Sequence, residues 1–202
     1  MLSGLKKFLL VSLLTFMGFT AQAEENTTNI TIQTSLGAID IALYPDRAPI
    51  TVDNFLKYVD AGLYNDGAFT RTVRYDNDNG SPKIEVVQGG ARSDVARFPA
   101  IPLETTQQTG IIHNNGVISM ARGAPASAAA EFFITIGAQP SLDFGGMRNK
   151  DGQGFAAFGI VTGGMSIVRA INAIKATKGT GDAYTKGQYL ANPIKIITIV
   201  RK

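Results

Sequence analysis

Eight short stretches of this chain carry β-branched or alternating apolar residues, and only two carry a helical repeat. That pattern constrains the fold more than any other feature. Asn29-Ile30-Thr31-Ile32-Gln33-Thr34 and Ala38-Ile39-Asp40-Ile41-Ala42-Leu43 alternate with period two around Ser35-Leu36-Gly37, predicting a hairpin that Tyr44-Pro45 ends. Further strands are predicted over 68–73, 84–88, 116–121, 131–136, 156–161 and 193–200. Between them, Val52, Phe55, Leu56 and Val59 fall at i, i+3, i+4 and i+7, predicting a helix with Thr51 as N-cap and Gly62 at its C-terminal end. A second helix is predicted over 165–173, after Gly163-Gly164. Short strands, turn-rich joints and two helices imply a mostly β protein. Its expected architecture is a closed eight-stranded antiparallel barrel with the helices over its open ends, which leaves no free sheet edge.

The first 23 residues follow a different logic. Lys6 and Lys7 precede an apolar run from Phe8 to Phe19, and Ala21-Gln22-Ala23 is a small-x-small cleavage site. The run is short for a span of roughly 20 residues, so a cleaved signal peptide is expected rather than a retained anchor. No cysteine is present for lipid attachment. Removing 23 of the 202 residues leaves 179, one domain spanning 24–202. Two of the 19 basic residues go with the leader, leaving 17 against 16 acidic ones, a net +1. The alkaline isoelectric point therefore says little, and no nucleic-acid partner is expected. A cysteine-free exported domain held by packing alone fits a bacterial periplasm, with no membrane association after cleavage.

Several chemistries are argued against. The single histidine, His113, sits in the polar run His113-Asn114-Asn115-Gly116 and reads as a solvated turn residue. No Cys, Ser–His pair or Gly-x-Ser-x-Gly elbow accompanies it. Metal and cofactor are not expected: His and Cys ligands are nearly absent, and Asp76-Asn77-Asp78-Asn79-Gly80 fails the register of a calcium loop. The Gly-rich stretch 144–154 lacks the ending of a phosphate loop.

Six motifs in order carry a resemblance: Ala48-Pro49-Ile50-Thr51-Val52-Asp53-Asn54-Phe55, Phe69-Thr70-Arg71, Val86-Val87-Gln88-Gly89-Gly90, Gly116-Val117-Ile118-Ser119-Met120-Ala121-Arg122, Glu131-Phe132-Phe133-Ile134 and Phe158-Gly159-Ile160-Val161. Together they resemble the cyclophilin family of peptidyl-prolyl cis/trans isomerases, from about Thr31 to Val200. The resemblance implies an isomerase acting on proline-containing unfolded or extended polypeptides, as a monomer without cofactor. It implies Arg71 as the cation aimed at the prolyl nitrogen and Gln88 as a substrate-backbone contact. Gly89-Gly90 would allow close approach of the peptide. Ala121 and Arg122 would offer main-chain groups, and Phe133 and Leu142 would line the proline pocket. Departures are equally specific. Val86 stands where the family has Met, Glu85 where it has an aromatic residue, and Phe155 at the pocket His. Ser141 replaces the family's frequent Trp. Glu131 replaces a Gln and is expected beside Arg71, orienting or neutralising it. Two alternatives to an active isomerase of exported proteins are a catalytically weak peptide-binding chaperone and a small-ligand carrier, the latter requiring an enclosed apolar pocket inside the barrel.

Overall fold

The computed structural model describes residues 25–177 and 181–202. The expected leader, 1–23, lies outside them. The strands are β1 (Thr28–Thr34), β2 (Gly37–Leu43), β3 (Ala68–Val73), β4 (Val86–Gly90), β5 (Val117–Met120), β6 (Phe132–Thr135), β7 (Ala157–Gly163) and β8 (Tyr189–Arg201). They close into one antiparallel barrel in the order β1-β2-β7-β5-β6-β4-β3-β8. The helices are α1 (Pro49–Asp60), α2 (Thr106–Thr109) and α3 (Met165–Ala173). The eight expected strands are all present. The helix count is corrected from two to three: α2 is a single turn held by a Thr105–Gln108 capping box, too short to show a period.

Alternation decides what fills the barrel. Ile30, Ile32, Ile39, Ile41, Phe69, Val87, Ile118, Phe132, Ile134, Phe158 and Ile196 belong to one buried core cluster. With side chains filling the interior, there is no lumen for a carried ligand, and the carrier reading fails. The helices close opposite ends. Arg201 pairs with Asp60 of α1 at the end where β1 begins. At the other end, a Cβ on Gly37 (φ +137°) would strike Ile167 of α3 at 2.9 Å. Phe55 of α1 reaches the core, 5.0 to 5.6 Å from the rings of Tyr64, Phe132 and Phe158.

Thr51 is not the N-cap. Pro49 takes the first helical position, where its missing N–H is harmless, and Ala48 precedes it with no side-chain cap. A distant carboxylate does the capping. Glu104 accepts from the amides of Ile50 (3.1 Å) and Thr51 (2.8 Å) and from the Thr51 hydroxyl (2.7 Å). This satisfies donors that the first turn leaves open and sets a negative charge at the positive end of the helix. It also fastens the long connection before β5 to the barrel. Glu104→Ala is therefore expected to destabilise the protein by about 1–2 kcal/mol, with a smaller loss for Glu104→Gln. Urea unfolding measures both; a midpoint unchanged in Glu104→Ala would show that the cap contributes nothing.

Candidate active site

The inward set leaves an outward one. Val73, Ile84, Val86, Phe133, Leu142 and Phe155 form a second buried apolar cluster, with Ala121 packed against it. Phe132 and Val87 point in, so Phe133 and Val86 point out. Strict alternation from the inward Phe69 would send Arg71 inward as well. It does not, because the pairing of β3 with both neighbours slips between Phe69 and Arg71. This bulge shifts the phase by one residue. Arg71 and Val73 then face outward, directly opposite Gln88 and Val86.

The result is a cleft of about 540 Å³ on the barrel's outer face. It is lined by all nine residues singled out from the sequence: Arg71, Val86, Gln88, Ala121, Arg122, Glu131, Phe133, Leu142 and Phe155. Its apolar floor is tight, with the Phe133 and Phe155 rings meeting edge to face at 5.3 Å. Arg71 stands beside it. Its Nη1 donates to Gln88 Oε1 (2.8 Å) and its Nε to Gln188 Oε1 (2.9 Å), which also accepts from Nη2. The Tyr184 ring lies 5.7 Å from the guanidinium carbon. Burial lowers the pKa of Arg71 from its ordinary value, yet a guanidinium remains charged at any physiological pH.

Four expectations are corrected. Glu131 does not bond Arg71; its carboxylate takes Arg97 at 2.9 Å. Gly89 has a nearer reason for its lack of side chain than an approaching peptide. A Cβ there would meet the Ala68 carbonyl oxygen and Phe69 Cδ1, both at 2.9 Å, so close packing of β4 on β3 demands the glycine. Ala121 and Arg122 lie just beyond β5 rather than on it. The Ala121 amide is already bound to the Glu131 carbonyl. The Arg122 side chain is a wall rather than a ligand group. It forks onto Asp151 (2.7 and 2.9 Å), donates to the Gly154 carbonyl and lies over the Phe155 ring. The hydrogen bond from Arg122, with that from the Gln153 amide, holds the Asp151 carboxyl at about 2.

His113 is the fourth. It is buried, 1% exposed, not solvated. Its Nδ1 lies 2.7 Å from Asp143 Oδ1 and its Nε2 lies 3.0 Å from Ser119 Oγ. Asp143 Oδ1 and Ser119 Oγ partner both ring nitrogens, with donor and acceptor roles set by the tautomer. The Asp–His–Ser row that sequence spacing concealed is thus present. It cannot act as a nucleophile system, because Ser119 is fully buried and does not line the cleft. The imidazole instead stacks on the back of Phe133, at 5.9 Å and 17°.

Sequence reasoning also missed Gln188, Tyr184 and Arg148. Arg148 and Asp78 form a bidentate pair (2.7 and 2.8 Å) whose side chains are 1% and 0% exposed. Arg148 also donates to the Pro82 carbonyl, and Asp78 accepts from the amides of Gly80 and Ile84. Gly80 is required here: a Cβ would sit 2.4 Å from the guanidinium. Gly80, two residues after Asp78, is the one sequence sign of such a turn. Among the described residues no three His, Asp or Glu side chains gather as a metal-ligand set, and no helix is long and apolar enough to cross a membrane.

An apolar pocket beside a fixed arginine, on the outside of a filled eight-stranded barrel, defines a class of peptide-binding isomerases. The family model for cyclophilin type peptidyl-prolyl cis-trans isomerase/CLD matches residues 29–200. The chain is 32% identical over 177 residues to peptidyl-prolyl cis-trans isomerase A of Dickeya dadantii (strain 3937), covering 85% of this chain and 87% of that protein. It is 34% identical over 148 residues to peptidyl-prolyl cis-trans isomerase B of Escherichia coli (strain K12), covering 72% and 84%. The barrel superposes on a Cryptosporidium parvum cyclophilin type isomerase with a TM-score of 0.66 at 19% identity, covering 88% of this chain and 98% of that one. A second structure of that protein, in the presence of the dipeptide Ala-Pro, gives 0.64 at 19% identity, covering 86% and 98%. The chain belongs to the cyclophilin-type peptidyl-prolyl cis-trans isomerase family and is an isomerase by class.

The Asp78–Arg148 pair makes a specific expectation. Burial raises the Asp78 carboxyl, but the bonds from Arg148, Gly80 and Ile84 outweigh it and hold the pKa below its ordinary 3.8. Its stabilising contribution is then complete above 3.8 and is lost as the pH falls through the lowered value. At neutral pH, Asp78→Ala leaves a buried guanidinium unpaired and is expected to cost about 3–5 kcal/mol, while Asp78→Leu with Arg148→Met recovers most of that loss. Urea unfolding at pH 7 measures both; a single variant as stable as wild type would show the pair to be dispensable.

Proposed function

We propose that the protein catalyses cis/trans isomerisation of X-Pro bonds in exported polypeptides, without covalent chemistry, in the bacterial periplasm. The observation that carries the reading is the placement of Arg71. It is an uncancelled cation at the edge of an apolar pocket floored by Phe133, Leu142 and Phe155.

The chemistry follows from the amide. Resonance holds it planar, and rotation costs about 20 kcal/mol. Twisting localises the lone pair on the prolyl nitrogen. In this reading the apolar floor takes the proline ring and excludes water, and the remaining N–H groups of Arg71 meet that nitrogen. Gln88 holds one arm of the guanidinium and borders the path of the peptide backbone. A donor fixed in advance stabilises the twisted state more than either planar one, and that difference is what accelerates rotation. No proton need move and no bond need break, so the buried state of Ser119 is no obstacle. The chaperone alternative drew on Glu131 and Glu85. Glu131 pairs with Arg97, and Glu85 lies outside the cleft lining, so neither weakens Arg71 by contact.

Arg71→Ala is expected to lower kcat/KM on an X-Pro peptide by about a hundredfold, ~2.7 kcal/mol, the loss typical of one preorganised donor. Arg71→Lys should be nearly as poor, since a point charge does not reproduce the planar fork. Glu131→Gln should stay within about twofold of wild type, because its carboxylate is turned away. Activity of Arg71→Ala within twofold of wild type would remove Arg71 from the mechanism.

Export is proposed from Lys6, Lys7, the apolar run to Phe19 and Ala21-Gln22-Ala23. The mature protein is expected to begin at Glu24, which N-terminal sequencing of the periplasmic fraction reads directly. Recovery of folded protein that still starts at Met1 would count against it.

A further inference from the structure

The donor reading of Arg71 leaves open what fixes the guanidinium in the plane that reaction needs. Gln88 holds only Nη1. One bond leaves the group free to swing about that contact. The rest comes from Gln188, which no motif of the sequence marks and which does not line the cleft.

We propose that Gln188 is a positioning residue of this site, clamping Arg71 through one neutral carbonyl so that its free N–H groups face the peptide. The inference rests on the reading of Arg71 as the donor. Gln188 is fully buried. Its Oε1 accepts from both Nε and Nη2 of Arg71. Its amide cannot flip, because Nε2 donates to the Asn77 carbonyl at 3.0 Å. Its main chain is bolted too: the Gln188 carbonyl accepts from the Thr72 amide, one residue beyond Arg71, at 2.9 Å. Asn77 in turn donates to the carbonyls of Thr72 and Gly187. The guanidinium, the amide and the turn that orients the amide therefore form one closed set of bonds.

Counting donors shows what the clamp does. A guanidinium has five N–H groups. Three point at the two glutamine oxygens, leaving one on each Nη. Both clamping groups are neutral, so the orientation is fixed without a carboxylate to cancel the charge. A carboxylate in either place would weaken the field at the prolyl nitrogen, and at 188 it would also set an oxygen against the Asn77 carbonyl in place of the Nε2–H donor.

Turnover, peptide affinity and the Arg71 Nε–H resonance in Gln188→Leu and Gln188→Glu test this. Gln188→Leu is expected to lower kcat/KM about tenfold, with the dissociation constant for the peptide within twofold of wild type and the Nε–H signal broadened or lost. Gln188→Glu keeps an acceptor for Arg71 but loses the donor to the Asn77 carbonyl and adds a negative charge, and should also lower turnover. In an Arg71→Ala background, Gln188→Leu should cost nothing more. Wild-type turnover in Gln188→Leu beside an inactive Arg71→Ala overturns the proposal alone. An equal loss with and without Arg71 also overturns it, since the residue then acts on the fold. Wild-type turnover in Arg71→Ala overturns the donor role, and the clamp with it. Should Gln188→Leu fail to fold, Gln188→Glu has the same shape and carries the test: unchanged turnover there overturns the proposal.

Discussion

One slipped residue in β3 decides whether this barrel has a site at all. The step between Phe69 and Arg71 leaves Phe69 in the core and turns Arg71 to the outer face. Without the slip, the side chain at 71 would point into a packed interior that holds no partner for a guanidinium. With it, Arg71 faces Gln88 across the ladder and Val73 faces Val86. The slip thereby brings the cation onto the face that already carries Phe133, Leu142 and Phe155. Bulges bend and re-aim strands where function needs it, and here the re-aimed group is the one charge the proposed mechanism uses.

An apolar cluster on the outside of a barrel is a liability unless something covers it or uses it. The structure manages this by bracing it from every side. Behind the floor, His113 stacks on Phe133 and is itself held between Asp143 and Ser119. At one wall Arg122 grips Asp151 and the Gly154 carbonyl. At another, Arg148 grips Asp78. Phe133 and Phe155 are thus held edge to face by their surroundings. The loops that supply these braces have no regular hydrogen-bond ladder of their own, so polar side chains replace it.

Legibility in the sequence followed the range of each interaction. The strands, α1 and α3 were readable because alternation and the 3.6-residue repeat are local. Seven of the nine lining residues were readable through contiguous motifs, Leu142 and Phe155 only through the wider resemblance, and all nine meet in the cleft. The failures are non-local. Glu131 was expected at Arg71 because it stands where the family it resembles has a Gln, but Arg97, from the irregular stretch before α2, takes its carboxylate. His113 looked solvated because its sequence neighbours are polar. Its spatial neighbours, Ser119, Phe133 and Asp143, come from three other segments. The bulge in β3 was invisible because Phe69-Thr70-Arg71 reads as ordinary alternation. Glu104 as the cap of α1 lies more than fifty residues from the amides it satisfies.

The distribution of charge around Arg71 follows a rule that the individual bonds do not show. The cleft is lined by Arg71, Arg122, Arg148 and Lys150 with Glu131 as the only acidic group. Yet the carboxylates nearby are committed elsewhere: Asp151 to Arg122, Asp78 to Arg148, Glu131 to Arg97. Each of these pairs neutralises a cation that serves the scaffold. Arg71 is held by the amide oxygens of Gln88 and Gln188, with no carboxylate paired to it among the described residues. In a partly dehydrated cleft a carboxylate within hydrogen-bond distance would screen it from the substrate far more than water would. The architecture therefore separates two uses of arginine. Where the side chain braces the scaffold, it is paired with a carboxylate; where the proposed mechanism needs its field, it is oriented by dipoles and left with charge to spare.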